Sequence, residues 1–253
     1  MKSLKVFALV LAVACLTESA FCQADSVTVV YKIPNASTPP PPSGPSFIQG
    51  VVFASTSIVP NFSGTYTHSV TTGNCLIIEI ATKTGEMESV LDATSGANLP
   101  GVFGSPQAVG SWYVDTYYEK VSSTEGGQKP TIEIGNIPGW GDAVMFLNEY
   151  SGLPNCSPTN KTFRGSSITN GQFASNALTT SSGSLGVGFI AFNSGTITKW
   201  SSTAPLTYLR AQIEPSWGSA GYGDAITPSG SFSFSGTLSS QSNLYGFALA
   251  VFH

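Results

Sequence analysis

Charge is scarce in this sequence. Asp, Glu, Lys and Arg make up 9% of its 253 residues, against about 25% in an average globular domain. Ser, Thr, Gly and Asn carry the polarity instead, and these residues suit turns and the solvent faces of strands. The formal charge is −4, from 14 acidic and 10 basic residues, and the basic residues form no cluster. The electrostatic basis of nucleic-acid binding is therefore missing, and an anionic membrane is an equally poor partner. Hydrophobic residues reach 41%, which excludes intrinsic disorder, since that needs low hydrophobicity and high net charge.

Histidine and cysteine are also few. The two histidines are His68 and His253, and neither HExxH nor CxxC spacing occurs, so no zinc or redox motif is present. A Ser-His-Asp triad would have to use His68. That residue falls in the run Thr65 to Val70, whose alternation predicts a strand with Tyr66, His68 and Val70 on one face. His253 ends the chain. No segment keeps helical periodicity over three turns, and the lack of a tandem repeat argues against a propeller or solenoid.

The first apolar run is short. Lys2 and Lys5 precede a core from Val6 to Ala14, about the length of a signal-peptide core and too short to span a bilayer. Residues 1–24 are expected to be a signal peptide, giving a secreted or cell-surface product without a transmembrane segment in the mature chain. Ala12 to Cys15 loosely resembles a lipobox, with Ala where Leu is usual, so lipoprotein anchoring is the weaker alternative. Residues 25–46 read as an N-terminal strand, Ser26 to Ile33, and a linker with four successive prolines, an extended semi-rigid spacer. Residues 47–253 read as one β-domain. If Cys15 and Cys22 leave with the signal, Cys75 and Cys156 remain. They either pair, which would add about 4 kcal/mol by closing the loop between them, or stay as buried thiols, as the apolar run around Cys75 allows.

Period-2 alternation and β-rich composition predict strands at Phe47 to Ala54, Cys75 to Thr82, Ser111 to Lys120, Thr131 to Ile134 and Asp142 to Tyr150. Further strands are predicted at Leu185 to Phe192, Leu206 to Ile213, Ser231 to Thr237 and Leu244 to Phe252. Turn clusters such as Gly73-Asn74 and Ser95 to Asn98 separate them. The stretch Pro154 to Ser184, rich in Ser, Thr and Asn, reads as loop with a helical turn. So many short strands must manage their edges and bury inner faces. The expected fold is all-β, a two-sheet antiparallel sandwich that is jelly-roll-like by its length. An immunoglobulin pattern of Cys…Trp…Cys is absent.

Four pieces of sequence carry a resemblance: Gly73 to Ile78 (GNCLII), Asp92 to Asn98 (DATSGAN), the aromatic run Trp112 to Tyr118, and Glu149 to Leu153 (EYSGL). Together they resemble a group of exported, largely uncharacterised bacterial β-sandwich domains with a GDLLVV-like strand, a D-x-x-GN turn and an EYSGL strand end. Asn74 and Cys75 stand where that group has Asp and Leu, and the Asp-to-Asn loop is longer. The resemblance implies export and a β-sandwich over residues 47–253. It carries no catalytic residues.

For function, the aromatics weigh most. Trp112, Tyr113 and Tyr117 lie on one aromatic run, while Trp140 and Trp217 sit in Gly-rich loops, where binding residues collect. Flat amphipathic rings stack on sugars, and Asp115 adds a polar group beside them. These residues equally serve as caps on the ends of a sandwich. The leading expectation is an exported, non-enzymatic β-sandwich that binds a glycan or another surface ligand. One alternative is a glycoside hydrolase or lyase using Asp115 and Glu119, which would need two acids about 5–9.5 Å apart. Another is a structural subunit that self-assembles into a fibre or coat. Glu149 reads as a strand-end acceptor. Calcium is the one cofactor left open, at Asp92 with Asn98 and at Asp142, although Asp and Asn occupy turns without any ion.

Overall fold

The computed structural model describes residues 26–31, 44–55, 62–83, 89–135, 142–213, 218–240 and 242–253. The expected signal peptide, the Cys15 lipobox, most of the Pro-rich linker, Trp140 and Trp217 lie outside the described residues. The described chain is all-β and antiparallel. None of its elements is a helix long and apolar enough to cross a membrane.

The strands begin with β1 (Ser26–Tyr31), β2 (Ser46–Ser55), β3 (Phe62–Thr65), β4 (Cys75–Lys83), β5 (Ser89–Asp92), β6 (Ala97–Asn98) and β7 (Gln107–Val109). Then follow β8 (Trp112–Lys120), β9 (Thr131–Gly135), β10 (Asp142–Ser151), β11 (Pro158–Thr169), β12 (Gln172–Ala174) and β13 (Leu178–Thr180). The last are β14 (Leu185–Phe192), β15 (Ile197–Ser202), β16 (Thr207–Ile213), β17 (Ser219–Ile226), β18 (Gly230–Phe232), β19 (Phe234–Leu238) and β20 (Ser242–Phe252).

They pair into four sheets: six strands in the order β1-β2-β10-β4-β8-β7, eight in the order β15-β19-β12-β11-β20-β14-β17-β16, four in the order β3-β9-β5-β6, and the pair β13-β18. The six-stranded sheet is covered on both faces. From β4, Cys75, Ile77 and Ala81 face a core shared with Val187, Phe189, Tyr222 and Phe252 of the eight-stranded sheet. The alternate residues Leu76, Ile78 and Ile80 face a second core with Phe62, Val90, Ile132 and Ile134 of the four-stranded sheet. This double cover explains why β4 and β10 are apolar almost without interruption, as a strand buried on both faces must be.

The eight-stranded sheet has a third core on its other face, built from Phe173, Phe232, Phe234, Phe247 and Leu249 with Trp200 against it. The sheet curls around these rings, so its two terminal strands meet. Ile197 N of β15 donates to Gln212 Oε1 of β16 at 3.0 Å, and the Ser202 and Thr207 hydroxyls share a hydrogen bond. Inside the curl the Trp200 ring stacks on Phe247 at 5.6 Å and 22°.

Two expectations change. The Pro154 to Ser184 stretch holds three strands and no helical turn; β11 forms a ladder along β20 that supplies its backbone bonds in place of an apolar pattern. The predicted strand Thr65 to Val70 ends at Thr65, after which the chain bends; Tyr66 and Val70 are buried while His68 is exposed. Cys75 and Cys156 form a disulfide with Cα atoms 5.4 Å apart, which pins the β10–β11 connection to the six-stranded sheet.

Candidate ligand-binding site

The site is assembled where the end of the six-stranded sheet meets the edge strand of the eight-stranded one. In the β16–β17 pair Tyr208 stands opposite Asp224 and Leu209 opposite Gly223, and the register shifts between Leu209 and Ala211. Arg210 is the extra residue of this bulge. A bulge bends its strand and re-aims a side chain. Gly223 permits the close approach, because a Cβ there would run into the Trp200 ring and the Tyr208 carbonyl.

The Arg210 guanidinium lies 4.5 Å from the Phe47 ring centroid and 4.3 Å from that of Tyr208. Both are cation–π contacts. Its Nε donates to Asp224 Oδ2 at 2.9 Å, and its terminal amino groups have no hydrogen-bond partner among the described residues. The guanidinium is thus oriented by two rings and one carboxylate, with donors left over.

Behind it runs a chain of buried polar groups. The Tyr150 hydroxyl of β10 donates to Asp224 Oδ2, so its bond with Tyr222 takes the Tyr222 proton. Burial raises both tyrosines well above the ordinary range and keeps them neutral donors. Burial also raises Asp224, while the charge and hydrogen bond of Arg210 draw it back down. Desolvation lowers Arg210, and the adjacent Asp224 outweighs that and raises it overall. Deeper still, Glu79 accepts from Asn148 Nδ2 at 3.1 Å. Burial pushes its carboxyl well up.

Arg210 opens on a cavity of about 400 Å³ whose walls include Phe47, Tyr150, Leu206, Tyr208 and Asp224. Leu206 is 57% and Tyr208 45% exposed, and both line this cavity. Exposed apolar surface at a cavity marks interaction sites. A larger groove of about 560 Å³ runs past Arg164, Lys199, Ser201 and Thr237. Its rings, Phe173 and Tyr245, are buried, so it offers no stacking face.

The aromatic strand lies elsewhere. Trp112 is fully buried in the core between the six- and eight-stranded sheets, with Nε1 donating to Asn193 Oδ1 at 2.9 Å. Tyr117 is buried on the opposite face and Tyr113 half-buried. Asp115 is 1% exposed and accepts from Thr116 N at 2.7 Å and Phe103 N at 3.3 Å. Burial lifts its pKa to about 7 against the pull of those two bonds. These residues form no open cleft, because the chain segment before β7 lies along β8. Asp115 and Glu119 are separated by four residues of strand, about 13 Å of backbone rise. Glu149 is an acceptor for three donors: Thr71 N at 2.9 Å, Asn74 Nδ2 at 2.6 Å and Gln49 Nε2 at 2.6 Å. It ties the Thr71–Asn74 turn to β10.

Of the residues considered for calcium, Asp92 gathers with Glu119 and Glu125, their nearest oxygens all within 4.8 Å of one another. Asn98 is exposed on β6, and Asp142 lies outside this group. Burial first, then the charges of Glu125 and Asp92, lift Glu119 to about 8.

Sequence reasoning missed Phe47, Tyr208, Arg210 and Asp224. The available signal was Leu206, Tyr208 and Arg210 at alternate positions of a strand, with Arg210 one of two arginines in the sequence. No protein-family model, no curated protein and no solved structure matches the chain.

Proposed function

We propose that this protein is an exported, non-enzymatic β-sheet module that binds a glycan bearing acidic groups in the Arg210 cavity. The observation that carries the reading is the guanidinium in contact with Phe47 and Tyr208, its terminal donors unused by any described residue. An arginine fixed in this way meets a carboxylate or sulfate with two parallel hydrogen bonds and little further loss of side-chain freedom. The exposed part of the Tyr208 ring supplies a stacking face for the sugar. In this reading the six- and eight-stranded sheets act as two halves of a jelly-roll-like sandwich, and the cavity opens at its end. The signal-like leader and the Cys75–Cys156 bridge support export to an oxidising compartment.

The test is a glycan array probed with the full chain. Carboxylated and sulfated glycans are expected to be retained and their neutral counterparts not. Arg210→Lys loses the paired donors and is expected to weaken binding about tenfold or more. Tyr208→Ala removes the stacking face at little structural cost and is expected to do the same. Equal capture of neutral glycans, or unchanged binding by both variants, would overturn the proposal.

A further inference from the structure

Three carboxylates converge at the far end of β8, away from the Arg210 cavity. Asp92 ends β5, Glu119 comes one residue before the end of β8, and Glu125 lies in the turn that follows. Their partners are incomplete. Asp92 Oδ1 accepts from Thr94 N at 2.7 Å and Glu125 Oε2 from Ser122 N at 2.8 Å. Asp92 is 0% exposed, and its Oδ2 and Glu119 Oε2 are buried with no hydrogen-bond partner among the described residues. None of the three carboxylates has an ion pair with a described residue.

Buried carboxylate oxygens need compensation. A proton shared between Glu119 and Glu125 removes one charge, and still leaves Asp92 Oδ2 without a partner. A cation among the three satisfies all of them at once. Coordination habit then favours one ion. Calcium accepts six to eight oxygens in flexible geometry, so carboxylates from three separate segments suit it, whereas magnesium demands a near-ideal octahedron and gives up its waters reluctantly. The ligand atoms are all oxygen, the chemistry that calcium prefers and zinc does not.

We infer that Asp92, Glu119 and Glu125 form a calcium site that ties β5, the end of β8 and the turn after it into one unit. The group would accept calcium with a Kd on the order of 10⁻⁴ to 10⁻³ M, the range of extracellular modules. That affinity suits a protein exported into calcium-rich surroundings.

The test uses the full chain, freed of metal by chelation and titrated at constant pH and ionic strength. Calcium at 10 mM is expected to raise Tm by about 5 °C, and the same concentration of magnesium by much less. Terbium, which substitutes for calcium, is expected to show emission sensitised by Tyr117 and Tyr118, the residues just before Glu119 on β8. Glu119→Gln relieves the carboxylate repulsion, so its metal-free Tm is expected to equal or exceed that of the parent while its calcium response falls at least about tenfold in affinity. Asp92→Asn is expected to lose the response as well, and Asp142→Asn to keep it. Absence of both a calcium shift and terbium emission would overturn the assignment. So would an equal response to magnesium, or a response undiminished in both Glu119→Gln and Asp92→Asn.

Discussion

The two interiors bounded by the eight-stranded sheet are built differently. Inside its curl, Phe173, Phe232, Phe234 and Phe247 pack with Trp200 into a cluster of rings. On its other face, against the six-stranded sheet, buried Glu79 and a hydrogen-bonded chain from Tyr222 through Tyr150 and Asp224 to Arg210 interrupt an otherwise similar apolar core. The same sheet therefore packs well without buried charge. Buried ion pairs add little net stability against apolar replacements, so the polar chain is better explained by the cavity at its end than by packing. The ring cluster supplies stability, and the polar interface orients a guanidinium.

Substitutions can break this comparison in order of size. Phe247→Ala, which empties the centre of the ring cluster, is expected to cost about 3–5 kcal/mol in chemical denaturation. It should leave affinity for acidic glycans unchanged at temperatures where the variant is folded. Asp224→Ala leaves the partly buried Arg210 charge without its partner and is expected to cost about 2–3 kcal/mol. The two sides then diverge. Replacing both Arg210 and Asp224 by Met is expected to recover most of that loss while abolishing binding, an outcome no second substitution in the ring cluster would reproduce. A double variant as unstable as Asp224→Ala alone would mean that the ion pair is structural.

A smaller effect concerns pH. Asp115 holds its proton to about pH 7 in the fold, against an ordinary 3.8, so the native state binds that proton more tightly than the unfolded chain. Its contribution to stability is full below about pH 3.8 and is lost as pH rises through about 7. Asp115→Asn is expected to flatten this part of the profile between pH 4 and 8, as measured by urea midpoints of the two proteins. Parallel profiles would show that Asp115 does not carry the dependence.

Much of the fold was legible in the sequence because burial leaves a local mark. The apolar run Leu185 to Phe192 coincides with β14, and Cys75 to Thr82 with all but the last residue of β4. Polar β11 left no such mark, since its ladder with β20 is made by backbone groups common to every residue. Alternation marked the aromatic run Ser111 to Lys120 as a strand, and in β8 Trp112 and Tyr117 fall on opposite faces. It could not reveal that both faces are covered, because that depends on sheets distant in sequence. The Arg210 site was hidden for a related reason. Phe47, Tyr150, Tyr208 and Asp224 come from four strands, and the bulge that re-aims Arg210 exists only once β16 pairs with β17. The acidic triad likewise needed β5 and β8 to be brought together; in sequence, Asp92 stood out as a turn residue and Glu119 as an acid of the aromatic strand, with nothing to join them.

The most direct test of the account is a calorimetric titration of the full chain with one acidic polysaccharide before and after its carboxyl groups are chemically reduced to alcohols. Stacking and hydroxyl contacts survive that reduction, and only the partner of the Arg210 donors is removed. The account predicts saturable binding to the parent polymer and a loss of at least about tenfold in affinity for the reduced one. Equal affinity for the two polymers would contradict it.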